Sequence, residues 1–429
     1  MVISQTIGRG VKISPAEMAK AEELTQDLKQ IAQTVKEIPS SELISLVLAL
    51  ASKSDAGDIH IEPTENEVKV RFRIDGVMHD LLDLPKTSYL PLLSEIKILA
   101  GAPTNVKRAT FDGRFSIYFP DHKVDCRLSI IAGGYGETIV IRLLSTSAAN
   151  LDMAKLGITS VAFNSLEKAM KKTRGIIITT GPTGSGKTTT LYSILNQLNK
   201  PDVKIITVED PIEYQLPGVM QTQIDEERGY TFASAMRSLL RQNPNIMMIG
   251  EIRDEETAKI SIEAAQTGHL VLSTIHANSA AGAISRFVGL GLERQALANA
   301  IEFTIGQRLV RRLCPYCKKE IALSAEDSKR VQDILAAIKN PELNIPKELH
   351  FYHGTGCPKC GNIGYKGRVG LYETITMDPT IQKLIQQDAV TDFEIEQAAI
   401  KNGMVTMLQD GVLKAAGGET SLEEVFRVI

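Results

Sequence analysis

The sequence predicts an α/β chain with a parallel-sheet core, a small α+β domain ahead of it, and a cysteine-bearing insert and helical segment behind it. Three observations carry the prediction. From Gly175 onward, short apolar segments alternate with longer helical ones, the rhythm of parallel strands with helices on their faces. Between residues 41 and 144 the period is two, polar against apolar, with turn pairs Asp75-Gly76 and Asp112-Gly113, as in an antiparallel sheet. After Arg312 come two C-x-x-C pairs and then a helical pattern running to the end.

In order along the chain, Ser14-Pro15-Ala16-Glu17 reads as a capping box with proline at the first helical position. Met18, Ala21, Leu24, Leu28, Ile31 and Val35 then share one helical face, and Pro39 ends it. That helix packs on its own domain or docks on a partner. A helix is expected over 41–54, and strands at 58–62, 68–75, 114–118, 124–128 and 138–142. Parallel strands are expected at 176–180, 204–208, 246–249 and 270–274. Gly417-Gly418 stops one helix and Ser421-Leu422-Glu423-Glu424 starts the next. The divisions are a helical extension (1–40), a small α+β domain (41–147), the parallel-sheet core (148–313), a tetracysteine subdomain (314–365) and a helical subdomain (366–429).

Bulk properties exclude several function classes. A chain of 429 residues exceeds one ordinary core. Its 43% hydrophobic and 23% charged residues are those of a globular protein. A net charge of -3, no tryptophan and 5% aromatics argue against a nucleic-acid groove, so no direct nucleic-acid contact is expected. The longest apolar run, 43–51, is far short of the roughly 20 residues that span a bilayer. With no basic-then-apolar leader at the start, a cytoplasmic location is expected.

The string Gly181-Pro182-Thr183-Gly184-Ser185-Gly186-Lys187-Thr188 fits G-x-x-x-x-G-K-[ST] between a strand and a helix. Its glycines let backbone N–H groups face phosphates, Lys187 supplies a cation, and Thr188 offers a hydroxyl to Mg²⁺. The pattern predicts ATP as ligand, with Thr189 adjoining. Two carboxylate clusters compete for the acidic role. Residues 245–251 end four apolar positions on Gly250-Glu251, with glycine where a magnesium-side aspartate is expected. Glu251 then orients the attacking water as a base, and Glu209 or Asp210 supplies the magnesium-side charge. His269 and His276 bracket a strand; each senses the γ-phosphate or satisfies a buried polar contact.

Cys314-x-x-Cys317 and Cys357-x-x-Cys360 bring four sulfurs to one ion, a closed structural Zn²⁺ site. Free thiols and an iron–sulfur cluster are the alternatives. Cys126 is read as a small core residue. Arg308, Arg311, Arg312, Lys318 and Lys319 surround the first pair as a solvated loop or as a patch for acidic lipid or a partner.

Together these strings resemble the ATPases of type II secretion and type IV pilus assembly. The resemblance rests on residues 181–192, Glu209-Asp210-Pro211-Ile212-Glu213-Tyr214, Gly250-Glu251-Ile252-Arg253-Asp254 and residues 267–276. Upstream, Asp58-Ile59-His60-Ile61-Glu62-Pro63 and Arg71-Phe72-Arg73-Ile74-Asp75-Gly76 are similar to the family's N-terminal domain. It implies a RecA-like core behind a PAS-like domain, a homo-hexamer, and an inner-membrane platform protein as partner, so that the chain is peripheral to the membrane. It further implies ATP hydrolysis coupled to assembly of a pilus or pseudopilus. Arginines of the N-terminal domain would stabilise phosphate charge, with Arg127 and Arg142 the candidates and Arg114 a third; Arg237 and Arg241 would serve a subunit interface. The tetracysteine insert resembles the extension and secretion branch. Asn243 and Asn245 stand where members carry aspartates. Ile275, Ala277 and Asn278 replace the usual leucine and threonine neighbours of His276. The 40 residues ahead of the α+β domain are too few for the extra docking domain many members have, which leaves the docking mode open or marks a truncated chain. The competing readings are a RecA-like nucleic-acid translocase with a structural zinc module, and a P-loop kinase.

Overall fold

The computed structural model describes residues 10–26, 31, 40–106, 110–144, 152–343, 345–346 and 348–429. The chain divides into two units: Met1–Ser147 with Leu313–Lys319 and His353–Gly367, and Ala148–Arg312 with Glu320–Tyr352 and Arg368–Ile429. The tetracysteine subdomain expected at 314–365 coincides with neither unit: 314–319 and 353–365 fall in the first and 320–352 in the second.

In the first unit, β1 (Gly10–Lys12) leads into α1 (Pro15–Leu24), and α2 (Ser40–Lys53) follows. Ser14 caps α1 as its sequence predicts: its hydroxyl accepts from the Glu17 N–H at 3.2 Å, and the Glu17 carboxylate accepts from the Ser14 N–H at 2.7 Å. Ala21 and Ile31 are fully buried, while Leu28 and Val35 of the expected face lie outside the described residues.

Next come β2 (Ala56–Pro63), β3 (Glu67–Ile74), β4 (Val77–Pro85), α3 (Lys86–Ala100), β5 (Phe111–Tyr118), β6 (Lys123–Ala132) and β7 (Glu137–Leu144). They form one seven-stranded sheet in the order β1-β5-β6-β7-β2-β3-β4. Neighbours are antiparallel except β1, which runs parallel to β5. Alternate residues such as Val68, Val70, Phe72 and Ile74 are buried beneath α2 and α3, as a period of two requires. The core also holds an ion pair. Lys97 on α3 donates to both Glu137 oxygens at 2.8 and 3.0 Å and to the Val106 carbonyl at 2.9 Å, so its ammonium is fully engaged.

The second unit opens with a 3-10 turn at Met153–Lys155, α4 (Ser160–Met170), β8 (Gly175–Thr180), α5 (Lys187–Leu198), β9 (Ile205–Glu209) and β10 (Met220–Gln223). Then follow α6 (Phe232–Leu240), β11 (Ile246–Ile252), α7 (Glu255–Gln266), β12 (Leu270–Ile275), α8 (Ala280–Gly289), α9 (Arg294–Ala300) and β13 (Ile301–Leu313). The short strands β14 (Lys318–Ile321) and β15 (Phe351–Gly354) pair, with α10 (Ala325–Ala336) between them in sequence. The chain closes with β16 (Tyr365–Thr376), α11 (Pro379–Ile385), α12 (Asp392–Lys401), α13 (Met407–Ala416) and α14 (Leu422–Val428).

The main sheet runs β10-β9-β11-β12-β8-β13-β16. The pairs from β10 through β13 are parallel, so the carboxyl ends of β8, β9, β11 and β12 lie along one edge. Strands β8, β9 and β12 are buried throughout, which is why they read as unbroken apolar runs. On the C-terminal side, Asp410 and Lys414 pair inside α13 at 2.6 Å. Asp410 also accepts from the Tyr372 N–H at 2.8 Å, and the Tyr372 hydroxyl donates to the Leu156 carbonyl at 3.1 Å. This polar cluster fastens the segment around Leu156 to β16 and α13.

Candidate nucleotide site and metal centre

Strand β8 delivers the chain to a glycine-rich loop whose backbone leaves ordinary space at once. Gly181 has φ +146°, and a Cβ there would stand 2.4 Å from the Gln307 carbonyl oxygen and 2.7 Å from Ser185 Oγ. No side chain fits, so glycine is required. Gly186, at φ +87°, caps α5, whose N-terminal N–H groups face the loop. Lys187 Nζ donates to the loop's own carbonyls, Gly181 at 2.8 Å and Pro182 at 3.1 Å. Burial pushes the Lys187 ammonium down; Glu251 opposes that and Arg308 adds to it. Thr188 and Thr189 are half-buried in the first turn of α5.

Glu251 sits near the end of β11 with a side chain 16% exposed. One oxygen accepts from Arg253 at 2.5 Å and the other lies 3.4 Å from His276 Nε2. Strand register explains the gathering: Ile275 is opposite Thr180, so His276 follows β12 beside the start of the loop. The Thr180 hydroxyl locks that loop by accepting from the Ala277 N–H and donating to its carbonyl, each at 2.9 Å. The structure therefore brings Lys187, Glu251 and His276 together.

His269 does not join them. It precedes β12, its carbonyl accepts from the Gly175 N–H at 3.2 Å, and its Nδ1 lies 3.0 Å from the Ala264 carbonyl. A strand of six residues is about 20 Å long, and His269 is at its far end. Of the two readings of His269, sensor of the γ-phosphate or satisfied polar contact, the second fits its place in this unit, where the ring meets a backbone carbonyl.

Glu209 and Asp210 part company. Glu209 is 2% exposed, and both its oxygens are occupied. Oε1 accepts from the Thr207 hydroxyl at 2.6 Å and Gln221 Nε2 at 3.1 Å, and Oε2 accepts from the Tyr192 hydroxyl. Burial pushes its carboxyl up, and these donors oppose the rise. Tyr192 belongs to α5, and its ring meets Tyr214 edge-on at 4.5 Å. Glu209 thus ties β9 to the helix that follows the loop. Asp210 is exposed; the Arg253 guanidinium is raised chiefly by its hydrogen bond to Glu251, and the charge of Asp210 adds to this. Gly250 stands where an aspartate was expected; a Cβ there would be 3.3 Å from the Val208 carbonyl oxygen, a tight fit between β9 and β11.

In the first unit, register places Arg114, Arg127, Arg142, Asp58 and Arg73 in one row across β5, β6, β7, β2 and β3. Residues directly opposite share a sheet face. Asp58 accepts from Arg142 Nε at 2.9 Å and from Arg73 Nε at 3.2 Å. Four guanidinium groups thus stand in a row with one carboxylate, a concentration of positive charge suited to an anion.

The four remaining cysteines converge. Cys314 and Cys357 sulfurs are 3.8 Å apart, Cys317 and Cys360 3.9 Å, and Cys357 and Cys360 3.8 Å. A disulfide needs about 2.05 Å. Sulfurs on a tetrahedron around an ion at about 2.3 Å stand about 3.8 Å apart, so the set fits a metal. Backbone N–H groups of Cys357 and Gly364 point at Cys360 Sγ at 3.3 and 3.2 Å. The loops cross tightly: a Cβ at Gly354 would be 2.0 Å from the Gly364 carbonyl oxygen. Cys126 is 1% exposed in the first core, and burial pushes its thiol up to about 12. Of the expected basic patch, Arg311 pairs instead with the buried Glu424, and Arg312 lies 3.7 Å from Glu419.

Sequence reasoning passed over Tyr192, Gln221, Arg253 and Gln307 as contributors. Arg253 stood inside a quoted motif, two residues after Glu251. Gln307 lies on β13, a strand the sequence did not announce.

The family described as "Type II/IV secretion system protein" matches residues 33–427. The chain is 40% identical over 411 residues to the type II secretion system ATPase E of Vibrio cholerae, covering 95% of this chain and 78% of that protein. It is 40% identical over 404 residues to the type IV pilus assembly ATPase PilB of Myxococcus xanthus, covering 94% and 70%. The ATPase DotB of Legionella pneumophila superposes with a TM-score of 0.64 at 21% identity, covering 90% of this chain and 94% of that one. The pilus retraction motor PilT, solved with ADP, gives 0.58 at 24% identity, covering 90% and 95%. At such identities these structures show the fold alone, a RecA-like α/β core. From the match over nearly its whole length, the chain belongs to the type II/IV secretion system protein family.

Proposed function

We propose that this protein is an ATP hydrolase that couples turnover to assembly of a type IV pilus or a type II secretion pseudopilus. The observation that carries the reading is Lys187, Glu251 and His276 gathered at one sheet edge beside a glycine-rich loop. Lys187 and the α5 N-terminus hold the β and γ phosphates, and Thr188 places Mg²⁺. Glu251, close to His276 and Arg253, orients the attacking water. Asp210 is the better magnesium-side carboxylate, because Glu209 has both oxygens engaged and serves to position α5. Arg127 and Arg142, in the guanidinium row of the first unit, are assigned to developing phosphate charge. The four cysteines hold structural Zn²⁺, on the fit of their spacing.

The named relatives are ATPases of type II secretion and type IV pilus assembly; action as a homo-hexamer with an inner-membrane platform protein is part of the reading proposed here. No helix among the described residues is long and apolar enough to cross a membrane; a peripheral cytoplasmic location reached through partners is part of the proposed reading. A nucleic-acid translocase finds no support in these relatives.

Phosphate release by the purified chain with Mg²⁺ and ATP tests the reading. Glu251→Gln is expected to keep nucleotide affinity and to lower turnover by about 10²-fold or more. Undiminished turnover in that variant removes Glu251 from the chemistry.

A further inference from the structure

Strand β13 runs parallel to β8, with Gly306 opposite Thr180, the last residue before the glycine-rich loop. The next two residues of β13 therefore run beside the loop itself. Gln307 is 1% exposed and donates from Nε2 to the Ser185 carbonyl at 2.7 Å. Its backbone oxygen is the atom that excludes a side chain from Gly181. Gln307 braces the loop, and that fixes where the following side chain starts.

That side chain is Arg308, and it is half-buried. Among the described residues its hydrogen-bond partners are two backbone carbonyls. Nη1 donates to Gln307 at 3.4 Å and Nη2 to Asn278 at 3.3 Å, both longer than the usual 2.7–3.2 Å. Among the described residues no carboxylate lies within 4.0 Å of it in an ion pair, although Glu373 acts on it from a distance. The Glu373 carboxylate is itself committed, accepting from the Ala280 N–H at 2.8 Å and the Met407 N–H at 3.4 Å.

Lys187 is in the same condition, resting on the Gly181 and Pro182 carbonyls. Two cations thus flank one loop, each held by carbonyl oxygens, and the charge of Arg308 acts against that of Lys187. A half-buried guanidinium with long bonds and a like-charged neighbour is poorly satisfied. A phosphate between the two cations would relieve both, and the planar fork of arginine suits its oxygens.

We propose that Arg308 is a second phosphate-binding cation of the nucleotide site. It leaves the Gln307 and Asn278 carbonyls to join Lys187 on the terminal phosphate of a nucleoside triphosphate. A consequence is built into the contact it gives up. Asn278 belongs to the loop that carries His276, so release of its carbonyl reports the third phosphate to that loop. The inference rests on the nucleotide reading above and adds discrimination between triphosphate and diphosphate.

The test is equilibrium binding of fluorescent ADP and of a fluorescent non-hydrolysable ATP analogue to the full chain. Wild type, Arg308→Ala, Arg308→Lys and Lys187→Ala are compared, with a melting temperature for each. Arg308→Ala is expected to weaken the triphosphate analogue by about tenfold or more, to change ADP affinity by less than about twofold, and to melt like wild type. Arg308→Lys should recover part of the loss, and Lys187→Ala should weaken both ligands. Unchanged triphosphate affinity in Arg308→Ala, with Lys187→Ala defective, overturns the role of Arg308 and leaves the site standing. Equal loss of both ligands in Arg308→Ala makes Arg308 a brace of the loop and also overturns the proposal. Full binding of both ligands by Lys187→Ala removes the nucleotide reading and this inference with it.

Discussion

Around the four cysteines, each ligand atom faces another at 3.8–3.9 Å, and buried backbone closes over the cluster. Around Lys187 the charged atoms face backbone carbonyls that any stronger anion would displace. Both places are glycine-rich loops, yet one is complete in itself and the other is built to exchange partners. A closed set of like ligands stabilises whatever chain it joins. Cations resting on neutral oxygens add little stability and keep their binding capacity for a ligand. The two places should therefore fail in opposite ways.

Lys187→Ala should abolish nucleotide binding while the melting temperature stays within about 2 °C of wild type, because the carbonyls it leaves are neutral. Titration with labelled nucleotide and thermal melting measure the two halves of that statement. A large loss of stability would put Lys187 with the structural groups. Cys357→Ser should do the reverse. Bound metal should fall from about one ion per chain to well below half, and the melting temperature should drop by about 5 °C or more. Elemental analysis of the purified chain gives the first number, and equal metal content in mutant and wild type would break the comparison.

The buried Glu424 extends the closed class without a metal. Burial pushes its carboxyl up, but hydrogen bonds from Arg427 and Arg311 outweigh that and hold it at about 2. Its folded value lies below the unfolded one. Its contribution is therefore present above the ordinary carboxylate range and is lost as pH falls from about 4.5 toward 2, amounting to about 3 kcal/mol. Denaturant titrations between pH 6 and 3 should show a steeper acid loss in wild type than in Glu424→Gln; parallel curves would discount the pair. The smallest effect is expected at Tyr192→Phe. It removes one of three donors to Glu209 and should cost about 1–2 kcal/mol of stability. A neutral result there would mean Thr207 and Gln221 suffice.

The chemistry was more legible in the sequence than the architecture. Lys187, Glu251 and the cysteine pairs announce themselves because each needs particular residue types at particular spacings. The same contiguity leaves His269 undecided between its two readings, since a motif string says nothing about which end of a strand a residue occupies. Glu209 resembles a ligand until its partners are known, and Tyr192 and Gln221 come from a helix and a strand that only folding brings near. Strand β4 was passed over because a register shift in its pairing with β3, between Val70 and Arg71, breaks simple alternation. Helix α3 was hidden by Pro91 in its interior. Strand β13 is buried along most of its 13 residues, so it shows neither a period of two nor one of 3.6.

The order of synthesis gives the first unit an unusual history. Its sheet and helices are complete in sequence by residue 147, but the unit also claims Leu313–Lys319 and His353–Gly367. Ile363 packs on its core, and the Gly367 N–H reaches the Asp75 carboxylate at 2.7 Å. A ribosome adding about 5–20 residues per second delivers those contacts roughly ten to forty seconds after residue 147. The part of the protein that is made first is thus finished late, after nearly all of the parallel sheet has been translated.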